Sequence, residues 1–133
     1  MKQEVTKRLP VEKDRTIDEN HKCSVIATLK LFATKWKPCI LCYLSAGPLR
    51  YNQLYRIIPN ISRKMLSEHL RELESDGLII RQQHDRKGQH VDYTLSFMGS
   101  SLLGILNVLQ DWGMEHLPGV LSIKEMLDLK IAI

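Results

Sequence analysis

The chain has 133 residues, 26% charged and 44% apolar, the composition of one ordinary globular domain whose core needs no disulfide or metal staple. No apolar run reaches the ~18–20 residues that cross a bilayer, which excludes an integral helical membrane protein. The net charge of +4 divides as +1 over residues 1–22, +5 over 23–96 and −2 over 97–133, so the excess sits where a polyanion would be met.

Residues 1–22 alternate charge sign, contain no aromatic and carry Pro10, which predicts a mobile arm. This polar start also lacks the apolar stretch of a secretory signal, so a cytoplasmic location is expected. From Cys23 the pattern becomes periodic. Val25, Leu29 and Phe32 recur at helical spacing and predict a short first helix through about Ala33. A second follows, with Pro38 in its first turn and Trp36, Ile40 and Leu44 on one face, and Gly47-Pro48 ends it. Leu54, Ile57 and Ile58 predict a third, short helix that stops before Pro59. Asn60-Ile61-Ser62 reads as a tight turn in which Ser62 caps a fourth helix. That helix carries Leu66, Leu70 and Leu73 at i, i+4 and i+7 and stops at Asp76-Gly77.

The period then changes to two. Leu78, Ile80 and Gln82 are expected along one ribbon face, with Val91, Tyr93 and Leu95 returning along another. The stretch from His84 to His90 makes the turn a hairpin with a basic tip. A long helix is predicted from about Phe97 to His116, with Leu102, Ile105, Leu109 and Trp112 spaced as a coiled-coil-like seam. Pro118-Gly119 breaks it, and Val120, Ile123, Leu127 and Ile131 predict an amphipathic tail helix within 119–133.

Two short helices joined by a tight turn and followed by a basic hairpin describe a winged helix-turn-helix. The fold class expected is therefore mainly α with a small β-hairpin wing and a long C-terminal dimerisation helix. At ~100° per residue, Leu70 and Leu73 fall within about 40° of Leu66 on the fourth helix. Lys64, Ser67, Glu68, Arg71 and Ser75 take the opposite face, a mixture of cations and short hydrogen-bonding groups suited to a major groove. An ordinary solvated helix face can look the same; the element order and the basic hairpin favour DNA.

The stretch KWKPCILCYLSAGPLRYNQLYRIIPNISRKMLSEHLRELESDGLIIR, followed by VDYTLSFMGSSL and LQDWG, resembles the HxlR-type transcriptional regulators over about residues 23–116. The resemblance implies a homodimeric bacterial DNA binder whose first and long C-terminal helices build the interface. Gly88-Gln89-His90 departs from the proline pair that the family usually places before the valine matching Val91. The site then expected comprises Ser62, Lys64, Ser67, Glu68 and Arg71 in the groove, Arg56 and Arg63 on phosphates, and Arg86 and Lys87 on the wing. Residues 23–118 would form the DNA-binding and dimerisation domain, with double-stranded DNA and a second copy as partners.

Cys39 and Cys42 form a CxxC, but no second Cys/His pair lies at metal spacing and the setting is an apolar helix, so two core thiols are expected. Cys23 opens the first helix after His21 and Lys22, where unpaired amides favour a thiolate. It also matches an N-terminal cysteine that some members of the resembled family use as a thiol switch. Tyr51, Tyr55 and Trp36 read as core-edge residues rather than a ligand pocket. No phosphate loop, nucleophile elbow or carboxylate pair in an apolar setting is present, so neither enzymatic activity nor a cofactor or metal is expected. An oxidant or small-molecule inducer fits the reading. The rivals are a winged-helix interaction module without DNA binding and a CxxC thiol-redox protein.

Overall fold

The computed structural model describes residues 23–88 and 90–129, which form α1 (Ser24–Phe32), α2 (Lys37–Leu44), β1 (Leu49–Arg50), α3 (Tyr51–Ile57), α4 (Arg63–Ser75), β2 (Ile79–Gln83), β3 (Val91–Leu95), α5 (Phe97–His116) and α6 (Ile123–Leu129). The arm expected over residues 1–22, Gln89 of the wing and Ile131 of the tail lie outside the described residues. Two compact units divide the chain between Lys30 and Leu31. Residues 23–30 carry most of α1, where Val25, Ile26 and Leu29 are exposed.

The described residues from Leu31 onward share one apolar core. Ile40, Leu41 and Leu44 of α2, Leu54 of α3, Leu66, Leu70 and Leu73 of α4, and Leu102 and Leu106 of α5 meet there, with Leu78, Ile79 and Tyr93. The leucine spacing on α4 thus forms its core stripe, as the periodicity expects. Lys37 is buried beside it and places its ammonium 2.7 Å from Glu72 Oε1, tying α2 to α4. That ammonium holds the Glu72 carboxyl below its ordinary range.

Local chemistry sets each junction. Asn60 takes a left-handed φ of 63°, and Ser62 follows in an extended conformation, accepting from the Met65 amide at 3.0 Å. At the far end of α4, Gly77 adopts φ 81° while the Leu78 and Gly77 amides bond back to the carbonyls of Leu73 and Glu74. Ser96 caps α5 by accepting from Gly99 N and donates its hydroxyl to Gly77 O, and its amide reaches Leu78 O. These bonds seat α5 against the α4–β2 turn so closely that a Cβ on Gly99 would collide with the Leu78 carbonyl oxygen.

The wing is larger than the expected hairpin. β1 pairs antiparallel with β3 through Leu49 and Arg50, so the sheet has three strands in the order β1-β3-β2. The alternation at the start of β2 also differs. Leu78 and Ile79 are both buried and Ile80 is exposed, because Leu78 still belongs to the closing turn of α4 and β2 turns only Ile79 to the core. The α3–turn–α4 pair followed by this sheet is a winged helix-turn-helix, and the protein is mainly helical.

Candidate nucleic-acid interface

Burial of Leu66, Leu70 and Leu73 fixes the rotation of α4 about its axis, and Arg63, Lys64 and Arg71 are left exposed. Lys64 reaches Glu68 at 2.9 Å, an i,i+4 pair whose lysine end is 80% exposed, so it parts readily when a stronger anion arrives. Ser67 and Glu68 are half-buried. The Ser67 hydroxyl lies 3.1 Å from the Tyr51 hydroxyl, so this residue stitches α4 to α3 as well as flanking the exposed face. Ser62 is exposed but its oxygen is engaged as the helix cap.

Arg63 opens α4 and lies against α3. Its guanidinium carbon stands 4.1 Å from the Tyr55 ring centroid and 5.7 Å from that of Tyr51, and Nη1 is 3.4 Å from Asn52 Oδ1. Arg56 is exposed on α3 and shares a cavity of about 530 Å³ with Arg50, Tyr51, Asn52, Gln53 and Val91. Arg86 and Lys87 occupy the exposed tip of the wing.

Two cations escape a reading of local pattern. Arg50 joins the wing to α3, its Nη2 lying 2.7 Å from His90 Nε2 while its amide donates to Gln53 Oε1. Arg81 of β2 lines a cavity of about 300 Å³ with Arg71, Glu74, Ser67 and Tyr51. Strand parity gives no signal for Arg81, which is exposed yet shares the parity of buried Ile79. Arg50 carries none, because β1 is only two residues long.

The expected seam on α5 is divided by the structure. Leu102 is buried in the core of its own chain, whereas Ile105, Leu109 and Trp112 are 46%, 49% and 56% exposed. Val108, at 67%, joins these three on the uncovered stripe although the heptad reading passed over it. Helix α6 lies against α5 through Gln110 Oε1, which accepts from Ile123 N at 2.7 Å.

Cys23 is exposed and its carbonyl accepts the Ala27 amide at the start of α1. Cys39 is buried and Cys42 half-buried. Burial, reinforced by neighbouring Cys42, pushes the Cys39 thiol up to about 11, and burial also raises Cys42. Among the described residues no cluster of three His, Cys, Asp or Glu side chains could hold a metal ion, and no helix is long and apolar enough to cross a membrane.

The model of the HxlR-like helix-turn-helix family matches residues 31–120. An uncharacterized HTH-type transcriptional regulator of Bacillus subtilis (strain 168), YtcD, is 46% identical over 99 residues, covering 74% of this chain and 79% of YtcD. The solved structure of the redox regulator HypR in its reduced form superposes with a TM-score of 0.67 at 33% identity, covering 70% of this chain and 92% of that one. Reduced YodB from B. subtilis gives a TM-score of 0.66 at 30% identity, with 74% and 97% covered. The chain belongs to the HxlR-like helix-turn-helix family and is a transcriptional regulator.

Proposed function

We propose that the protein binds a pseudo-palindromic DNA operator as a homodimer, with α4 in the major groove. The observation that carries this is the exposed face of α4, where Lys64 and Arg71 stand opposite a buried leucine stripe on a helix tied to α2 and α3. Lys64, Ser67, Glu68 and Arg71 read base edges, and Ser62 sets the first turn of the helix. Arg56, Arg63, Arg86 and Lys87 hold phosphates, joined by Arg50 and Arg81. The exposed stripe of Ile105, Val108, Leu109 and Trp112 gives the second copy a surface to cover. Selection of bound duplexes from a random pool tests this. An inverted repeat is expected, with half-site centres about 34–36 Å apart or a multiple of that. Recovery of unrelated sequences with no repeat contradicts it.

Thiol control through Cys23 is the second element of the proposal. Cys23 is exposed, and the relatives include a redox regulator solved in reduced and oxidized forms and YodB solved after diamide treatment. Buried Cys39, held protonated, weighs against a reactive CxxC. Operator binding should change with diamide and recover with dithiothreitol, while Cys23→Ser stays constant. Equal response of both proteins would place the inducer, oxidant or small molecule, at another group.

A further inference from the structure

The two exposed cations that open α4 are held very differently. Lys64 ends in solvent with one carboxylate partner on its own helix. Arg63 rests against α3: its guanidinium carbon stands over the Tyr55 ring at 4.1 Å and over that of Tyr51 at 5.7 Å. Asn52 Oδ1 sits 3.4 Å from one end of the fork. The backbone beneath is fixed too, because the Tyr51 hydroxyl donates to the Arg63 carbonyl and pairs with Ser67 Oγ, each at 3.1 Å. Tyr51 and Tyr55 are one helical turn apart, and both rings lie on the side of α3 that meets Arg63.

Stacking occupies the face of a guanidinium and leaves its in-plane N–H donors available. Only one of those ends is directed at Asn52. An arginine already held in one pose loses less freedom on docking than a free one, so its contact is stronger for the same geometry. The Lys64 ammonium must instead leave Glu68 and be ordered at the moment of binding.

We infer that Tyr55, supported by Tyr51, is a positioning residue that presets the Arg63 guanidinium for a DNA phosphate. This rests on the DNA-binding reading above. The edge between α3 and α4 is then a built contact, in which aromatic rings on one helix orient a cation on the other.

The test combines a measurement without DNA and one with it, on the full chain. In the free protein, the side-chain protons of Arg63 should resonate upfield from ring currents in the parent and in Tyr55→Phe, and return to ordinary positions in Tyr55→Leu. Against the selected operator, Tyr55→Leu and Arg63→Ala should each bind about tenfold more weakly, the scale of one lost contact. Tyr55→Phe should bind like the parent, and the double variant Tyr55→Leu with Arg63→Ala should be no worse than either single one. Losses that multiply, or a Tyr55→Leu protein that binds like the parent, would overturn the inference. An upfield Arg63 in a protein that binds no duplex would overturn the DNA reading and the role of the tyrosines with it. Unshifted Arg63 protons in a protein that binds its operator would overturn the role of the tyrosines alone.

Discussion

Cys39 and Tyr43 stand one helical turn apart on α2, both buried. Burial first, and neighbouring thiols second, push the Cys39 thiol up to about 11 and the Tyr43 phenol up to about 12. In an unfolded chain these groups ionise near ~8.5 and ~10. Between those values and the folded ones the native state holds more protons, so stability falls as pH rises. The urea midpoint should be flat up to about pH 8 and decline towards pH 11, with a shallower decline in Cys39→Ala. A midpoint unchanged at pH 10.5 would contradict this. The core stripe of α4 was legible because helical spacing is local: Leu66, Leu70 and Leu73 are all where the period puts them. Ser67 was legible only in part. It lies on the polar face, yet its partner Tyr51 comes from another helix and no periodicity reports that bond.

At the scale of elements, the helix ends were readable and the sheet was not fully so. Ser62 and Gly77 carry backbone requirements that few residues meet, and both sit where the sequence places a cap and a stop. β1 is two residues long, and its partner on β3 lies over forty positions away, so it leaves no pattern of its own. Leu78 and Ile79 are buried together because a helix-closing turn, not strand alternation, orients the first of them. The joint between α4 and α5 offers the sharpest test of this packing. Gly99→Ala places a methyl against the Leu78 carbonyl and should cost ~1–3 kcal/mol or more, read as a lower thermal midpoint. The neighbouring exposed position makes the control, since Ser100→Ala should move the midpoint little. Ser62→Ala removes the cap of α4 and should cost ~1 kcal/mol.

For the whole molecule, charge and apolar surface are segregated along the chain. The positive excess lies in residues 23–96, while α5 shows an apolar stripe that is exposed among the described residues. Heptad spacing runs through Ile105, Leu109 and Trp112, which are exposed, but spacing alone does not tell which residues a helix turns inward, and Leu102 is turned inward. Leu102→Ala should therefore lower stability by ~2–5 kcal/mol through a core cavity. Leu109→Asp acts on the exposed stripe and should give a folded monomer or an unstable chain, in either case without operator binding. A folded monomer of Leu109→Asp that binds the operator with full affinity would remove the dimer from the account.

In the proposed complex α4 reads sequence while the wing holds the backbone. The direct measurement of this division is the affinity of the parent, of Lys64→Ala and Arg71→Ala, and of Arg86→Ala and Lys87→Ala for the selected operator and for single-base variants, across salt concentrations. The helix variants should lose discrimination between bases, at ~1–3 kcal/mol for each lost base contact. The wing variants should bind every sequence more weakly, with a log–log salt slope flatter by about 0.9 for each lost phosphate contact. Wing variants that change base preference while helix variants leave it intact would contradict the account.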